Sequence, residues 1–114
     1  MGQLTQTFAQ VQANINESNV VTVNVATYDL TATDGIVHVT YTATGAVTSL
    51  TLPTAQVVTD RVLTIKDGGG NSGTNNITID TQGSEKIDGA DTAVINADYS
   101  SIDLYSDGTN WFIK

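Results

Sequence analysis

The chain has 114 residues, the length of one domain, and carries 12 acidic against 4 basic side chains for a formal net charge of -8. So few cations cannot neutralise a run of phosphates, which argues against nucleic acid and anionic membrane as partners. It contains no cysteine, so neither a disulfide framework nor a thiolate metal site can form, and no apolar run approaches the roughly 20 residues of a membrane helix.

From the N-terminus, Leu4, Phe8, Val11 and Ile15 recur at spacings of four, three and four among Gln6, Gln10, Gln12 and Asn14. That stripe predicts a short amphipathic helix, too short to be stable in water unless its apolar side packs on something. The two readings are a helix covering the end of its own sheet, and an anchor or inter-subunit contact. The expected division is an N-terminal helix or arm over 1–19 ahead of a β domain over 20–114.

Everything after it reads as strand. Threonine and valine dominate, Pro53 is the sole proline, and helix-favouring side chains are scarce. Val21, Val23 and Val25 alternate with Thr22 and Asn24. Beyond Asp34-Gly35, Val37, Val39 and Tyr41 alternate with His38, Thr40 and Thr42. Both predict strands with one buried face. Leu50 and Leu52 continue the pattern until Pro53 breaks it, and Leu63 and Ile65 resume it after Arg61.

The stretch Asp67-Gly-Gly-Gly-Asn-Ser-Gly-Thr-Asn75 is a loop whose ends the flanking strands must hold. Ile77 and Ile79, then Ile87 before Asp88-Gly89, then Val94-Ile95 mark further strands. A terminal hairpin closes the chain, with Ile102 and Leu104 on one arm and Trp111 and Ile113 on the other, and Asp107-Gly108 supplying positive φ at its turn. Eight or nine strands at this spacing predict an all-β fold: a single antiparallel β-sandwich or jelly-roll-like domain.

The chemistry-bearing residues point away from an enzyme. His38, the only histidine, lies on the polar side of its strand with no cysteine to partner it, and no Gly-x-Ser-x-Gly elbow is present. Asp34, Asp67, Asp88 and Asp107 each precede a glycine, where a carboxylate accepts backbone hydrogen bonds in a turn. Asp67, Asn71 and Asn75 offer oxygen ligands for calcium in one loop, but Gly69 and Ser72 occupy positions that depart from the EF-hand pattern. No catalytic, metal or cofactor residue is assigned.

The segments Arg61-Val-Leu-Thr-Ile-Lys-Asp-Gly-Gly-Gly-Asn71, Asn76-Ile-Thr-Ile79, Ile87-Asp-Gly-Ala90 and Tyr99-Ser-Ser-Ile-Asp-Leu-Tyr-Ser-Asp-Gly-Thr-Asn-Trp111, with Val47-Thr-Ser-Leu-Thr-Leu-Pro-Thr-Ala55 upstream, resemble a β module recurrent in virion proteins of tailed bacteriophages. The resemblance covers roughly residues 25–114 and leaves the N-terminal stripe outside. It implies a trimeric β-structured unit of the kind used in capsid decoration, head fibres and tail fibres. A chain with only a short helix before the module suits a decoration or cement protein on the capsid exterior, a homotrimer contacting the major capsid protein. Leu4, Phe8, Val11 and Ile15 are then expected as anchoring or inter-subunit contacts, and Trp111 and Phe112 as core or trimer-interface aromatics. The alternative is a fibre module that binds a host surface glycan by stacking on Tyr28, Tyr41, Tyr99, Tyr105 or Trp111.

Overall fold

The computed structural model describes residues 19–42 and 47–114. The predicted helix and its stripe, Leu4, Phe8, Val11 and Ile15, lie outside the described residues. Among these there are nine strands: β1 (Val20–Val23), β2 (Thr27–Asp29), β3 (Ile36–Val39), β4 (Thr48–Leu52), β5 (Val62–Asp67), β6 (Ile77–Thr81), β7 (Ala93–Ile95), β8 (Ser101–Ser106) and β9 (Trp111–Ile113). A single 3₁₀ turn, Thr54–Gln56, follows Pro53, whose extended φ leads into it without a side-chain cap.

The strands form two sheets, which we call A (β1-β3-β5-β8-β9) and B (β2-β4-β6-β7). Successive strands from β1 to β6 alternate between the sheets, so the chain winds from one to the other and lays each new strand beside the strand two before it. Direction is preserved on every turn. The pairs β1·β3, β3·β5, β2·β4 and β4·β6 are therefore parallel, and only the closing pairs β6·β7, β5·β8 and β8·β9 are antiparallel.

The all-β expectation stands, but its antiparallel pairing is corrected: both sheets are mixed. Two-residue alternation and turn chemistry are the same in a winding parallel ladder as in a hairpin ladder. What differs is whether the turn folds the chain back along its own sheet or carries it across to the other. Asp34-Gly35 illustrates this, since it joins β2 in sheet B to β3 in sheet A and closes no hairpin.

Registered neighbours stack like on like. Val21, Val37 and Ile65 lie side by side across sheet A, and Tyr28, Leu50 and Ile79 across sheet B. The inward side chains of both sheets, with Leu30 and Ile87 from connections, join in one hydrophobic cluster, and Trp111 is its largest fully buried member. Each buried Leu or Ile there contributes on the order of 1.5–3 kcal/mol over its exposed state.

The turns are held by the carboxylates that the Asp-Gly pairs announce. Asp34 Oδ2 accepts from the Thr31 N–H (2.9 Å) and the Tyr28 hydroxyl (2.6 Å). Asp107 Oδ1 accepts from the N–H groups of Thr109 and Asn110, both at 2.9 Å. The hairpin turn is looser than the sequence suggests: Ser106 pairs with Trp111 across four connecting residues, and of the Asp107-Gly108 pair only Gly108 has positive φ. The two-residue turn with positive φ at both central positions occurs instead at Asp88-Gly89 (49° and 79°), where Ile87 and Ala90 exchange both backbone hydrogen bonds.

Candidate functional site

Alternation along a strand sends successive side chains to opposite sides of a sheet, so a strand with one buried face needs apolar residues at every second position only. Each strand of sheet A exceeds that need. The adjacent pairs Val20-Val21, Ile36-Val37, Val62-Leu63, Leu104-Tyr105 and Trp111-Phe112 supply one apolar side chain to the inner face and one to the outer. The outward members are Val20, Ile36, Val62, Tyr105 and Phe112, one from each strand of the sheet.

Register arranges these five into a stripe. Val20 lies beside Ile36, and Val62, Tyr105 and Phe112 are direct neighbours across β5, β8 and β9. Ile36 is paired with Thr64, so the stripe steps by one pleat between β3 and β5. At the usual interstrand spacing it crosses about 19 Å of surface. Val20 is 58% exposed, Val62 48% and Tyr105 41%. The rings of Tyr105 and Phe112 stack with centroids 5.5 Å apart.

Sheet B has no counterpart. Its outward positions are Thr27, Asp29, Ser49, Thr51, Thr78, Asp80 and Val94, polar except for the last. The charges divide in the same way. Lys66 lies on the outer face of sheet A, Lys114 follows Phe112 by two residues on the same side of β9, and among the described residues the only carboxylate on the strands of that face is Asp103, whose Oδ1 accepts from the Thr64 hydroxyl (2.8 Å). Among the described residues the strands of sheet B carry two outward carboxylates, Asp29 and Asp80, and no outward cation.

At one end of sheet A the glycine loop and the chain before β8 are tied together. Asp67 is buried and accepts three backbone N–H groups, from Gly70 (2.9 Å) on Oδ1 and from Ser72 (2.9 Å) and Tyr99 (3.0 Å) on Oδ2. Burial raises the Asp67 pKa, but these donors, Ser72 first, outweigh it and hold the carboxyl below the ordinary aspartate value. Tyr99 sits at φ 61°, a left-handed conformation rare for a bulky residue, with its N–H held by Asp67 and its carbonyl accepting from Lys66 Nζ. A Cβ on Gly70 would collide with the Tyr99 ring, and one on Gly68 with the His38 imidazole. The loop is thus folded under two aromatic side chains.

These contacts decide the individual candidates. His38 points outward from β3 and packs on Gly68, with Thr22 and Lys66 as its neighbours in register. Of the three loop oxygens considered for calcium, both carboxylate oxygens of Asp67 are engaged by backbone N–H groups, and Asn71 turns its amide to donate to the Thr42 carbonyl (3.1 Å). Among the described residues no group of three or more histidine or acidic side chains converges as a metal site.

Trp111 and Phe112 separate: Trp111 lies wholly in the core, whereas Phe112 is half-buried on the outer face against Tyr105. Of the aromatics considered for stacking on a sugar, Trp111 is inaccessible, Tyr28 and Tyr41 pack partly against the core, and Tyr99 and Tyr105 are exposed. The residues that sequence reasoning missed are Val20, Ile36 and Val62. Their signal is the adjacent apolar pair, repeated in every strand of sheet A and seen in sheet B only at Val94-Ile95.

Comparison with protein-family models finds no matching family, and comparison with curated proteins finds no matching relative.

Proposed function

We propose that this protein is a viral structural protein, a homotrimer that decorates the outside of a tailed-bacteriophage capsid and bridges adjacent shell subunits. The observation that carries this reading is the apolar stripe across all five strands of sheet A. Outward apolar side chains that recur on every strand of one sheet, and on one strand of the other, are what a surface covered by protein would require. The aspartates before glycine, where catalytic carboxylates would be sought, accept backbone hydrogen bonds, Asp34, Asp67 and Asp107 within their turns and Asp88 from the Ile113 N–H of β9, which fits a part whose work is mechanical. Many modest contacts, repeated around the shell, would spread the load that a packaged genome places on it. The test is particle stability: virions made without the protein should release their genome at a lower temperature than complete virions, and equal release temperatures would overturn the proposal.

One observation favours a second reading, an appendage module that binds a host surface glycan. Tyr99 is 62% exposed, yet its backbone is pinned at both ends by Asp67 and Lys66. A rigid, open aromatic ring with a polar tip is suited to stacking on a sugar. Saccharide titration followed by NMR should then shift the Tyr99 ring and the loop amides, and an unperturbed spectrum across neutral and acidic saccharides would remove this reading.

A further inference from the structure

We infer that the outer face of sheet A is where copies of this chain meet, through the stripe formed by Val20, Ile36, Val62, Tyr105 and Phe112. This rests on the homotrimer reading above and names the surface that builds the trimer, leaving the polar face of sheet B to other contacts. Charge selects the occupant. A chain of net charge -8 repels its own copies, so self-association needs a face from which the negative charge has been removed. The chain has 12 acidic and 4 basic side chains, yet among the described residues this face holds one acid, Asp103, and two bases, Lys66 and Lys114.

Geometry agrees with the charge. The stripe has a member on every strand of the sheet, so three copies with sheet A turned to a common axis bring three apolar stripes toward one another. The stacked rings of Tyr105 and Phe112, on the β8–β9 side of the sheet, supply the aromatic area that dominates such interfaces. Closure about a three-fold axis covers every copy of the stripe and leaves none to recruit further chains. An acidic partner protein meeting the same face would face no such restriction on copy number, so the size of the assembly is the discriminating quantity.

The test is sedimentation velocity on the full chain at one concentration, comparing the natural protein with a Val62→Glu, Tyr105→Glu double variant and with Val94→Glu on the outer face of sheet B. The expected result is a trimer for the natural chain and for Val94→Glu, and a monomer with unchanged far-ultraviolet circular dichroism for the double variant. A double variant that remains trimeric overturns the surface assignment while leaving the homotrimer reading in place. A natural chain that stays monomeric overturns both.

Should the double variant fail to fold, Tyr105→Cys supplies the second test, because the chain has no other cysteine. Mild oxidation of the trimer should link two of its three chains across the axis. A trimer in which this cysteine forms no interchain disulfide overturns the assignment.

Discussion

Tyr105 and Phe112 lie directly opposite one another on β8 and β9 with ring planes 25° apart, on the outer face of a sheet whose inner face buries Leu104 and Trp111 beside them. One two-residue period thus sends two adjacent aromatic residues, Trp111 and Phe112, to different tasks. Trp111 belongs to the fold and Phe112 to the surface.

Truncation should separate those tasks. Trp111→Ala removes the largest side chain of the core and should cost about 3–5 kcal/mol. Phe112→Ala gives up an outward stacked pair worth about 0.5–1.5 kcal/mol, so its effect on folding should be the smaller. Urea unfolding of both variants, with association monitored at the same concentration, checks this. Equal losses of stability would contradict the assignment of the two faces.

Thr48 offers a gain. Its hydroxyl is buried without a hydrogen-bond partner among the described residues, in register beside Ile77, which pairs in turn with Ile95. Thr48→Val keeps the shape and removes a desolvated hydroxyl, and should raise stability by about 1 kcal/mol. An unfolding midpoint that stays constant or falls would show that the hydroxyl is satisfied in solution.

Asp67 makes the fold sensitive to acid. Its carboxyl is held below the ordinary value in the folded chain, so the unfolded chain binds a proton first as the pH falls, and stability rises with pH across that window. The contribution is complete above the ordinary carboxylate range and is lost as pH drops through the lowered folded value. Unfolding free energy measured from pH 7 down to pH 3 should fall more steeply for the natural chain than for Asp67→Asn. At pH 7 that variant should already be weaker by about 1–3 kcal/mol, because it leaves buried N–H groups poorly matched. Parallel pH profiles would contradict the role given to Asp67.

Gly70 and Tyr99 should be coupled. Gly70→Ala meets two penalties, the left-handed φ of 70° and collision with the Tyr99 ring. In a Tyr99→Ala background only the first remains, so the cost of Gly70→Ala should shrink to the roughly 1 kcal/mol typical of backbone strain alone. A double-mutant cycle with no interaction term would mean that the ring moves aside freely.

Much of the fold was legible in the sequence, and the missing part has a physical cause. The inward residues Val23, Val37, Val39, Leu50, Leu63 and Ile65 follow from a period of two, and the turn roles of Asp34, Asp67, Asp88 and Asp107 follow from the glycine after each. The parallel winding did not follow, because nothing local in Asp34-Gly35 says whether the chain turns back or crosses to the other sheet.

Gln56 was equally hidden. It is wholly buried on the 3₁₀ turn, and its amide donates to the carbonyls of Thr31 (2.6 Å) and Asp34 (2.9 Å), which become its partners only once β2 and β3 are in place. The outer stripe was visible as five adjacent apolar pairs. Its meaning needed the topology that places all five in one sheet.

Copy number per virion, measured by quantitative mass spectrometry against the major capsid protein, decides whether this protein coats a capsid. A coat of decoration trimers should give a ratio approaching that of the shell protein itself. A handful of copies per particle would contradict it and place the protein in the tail.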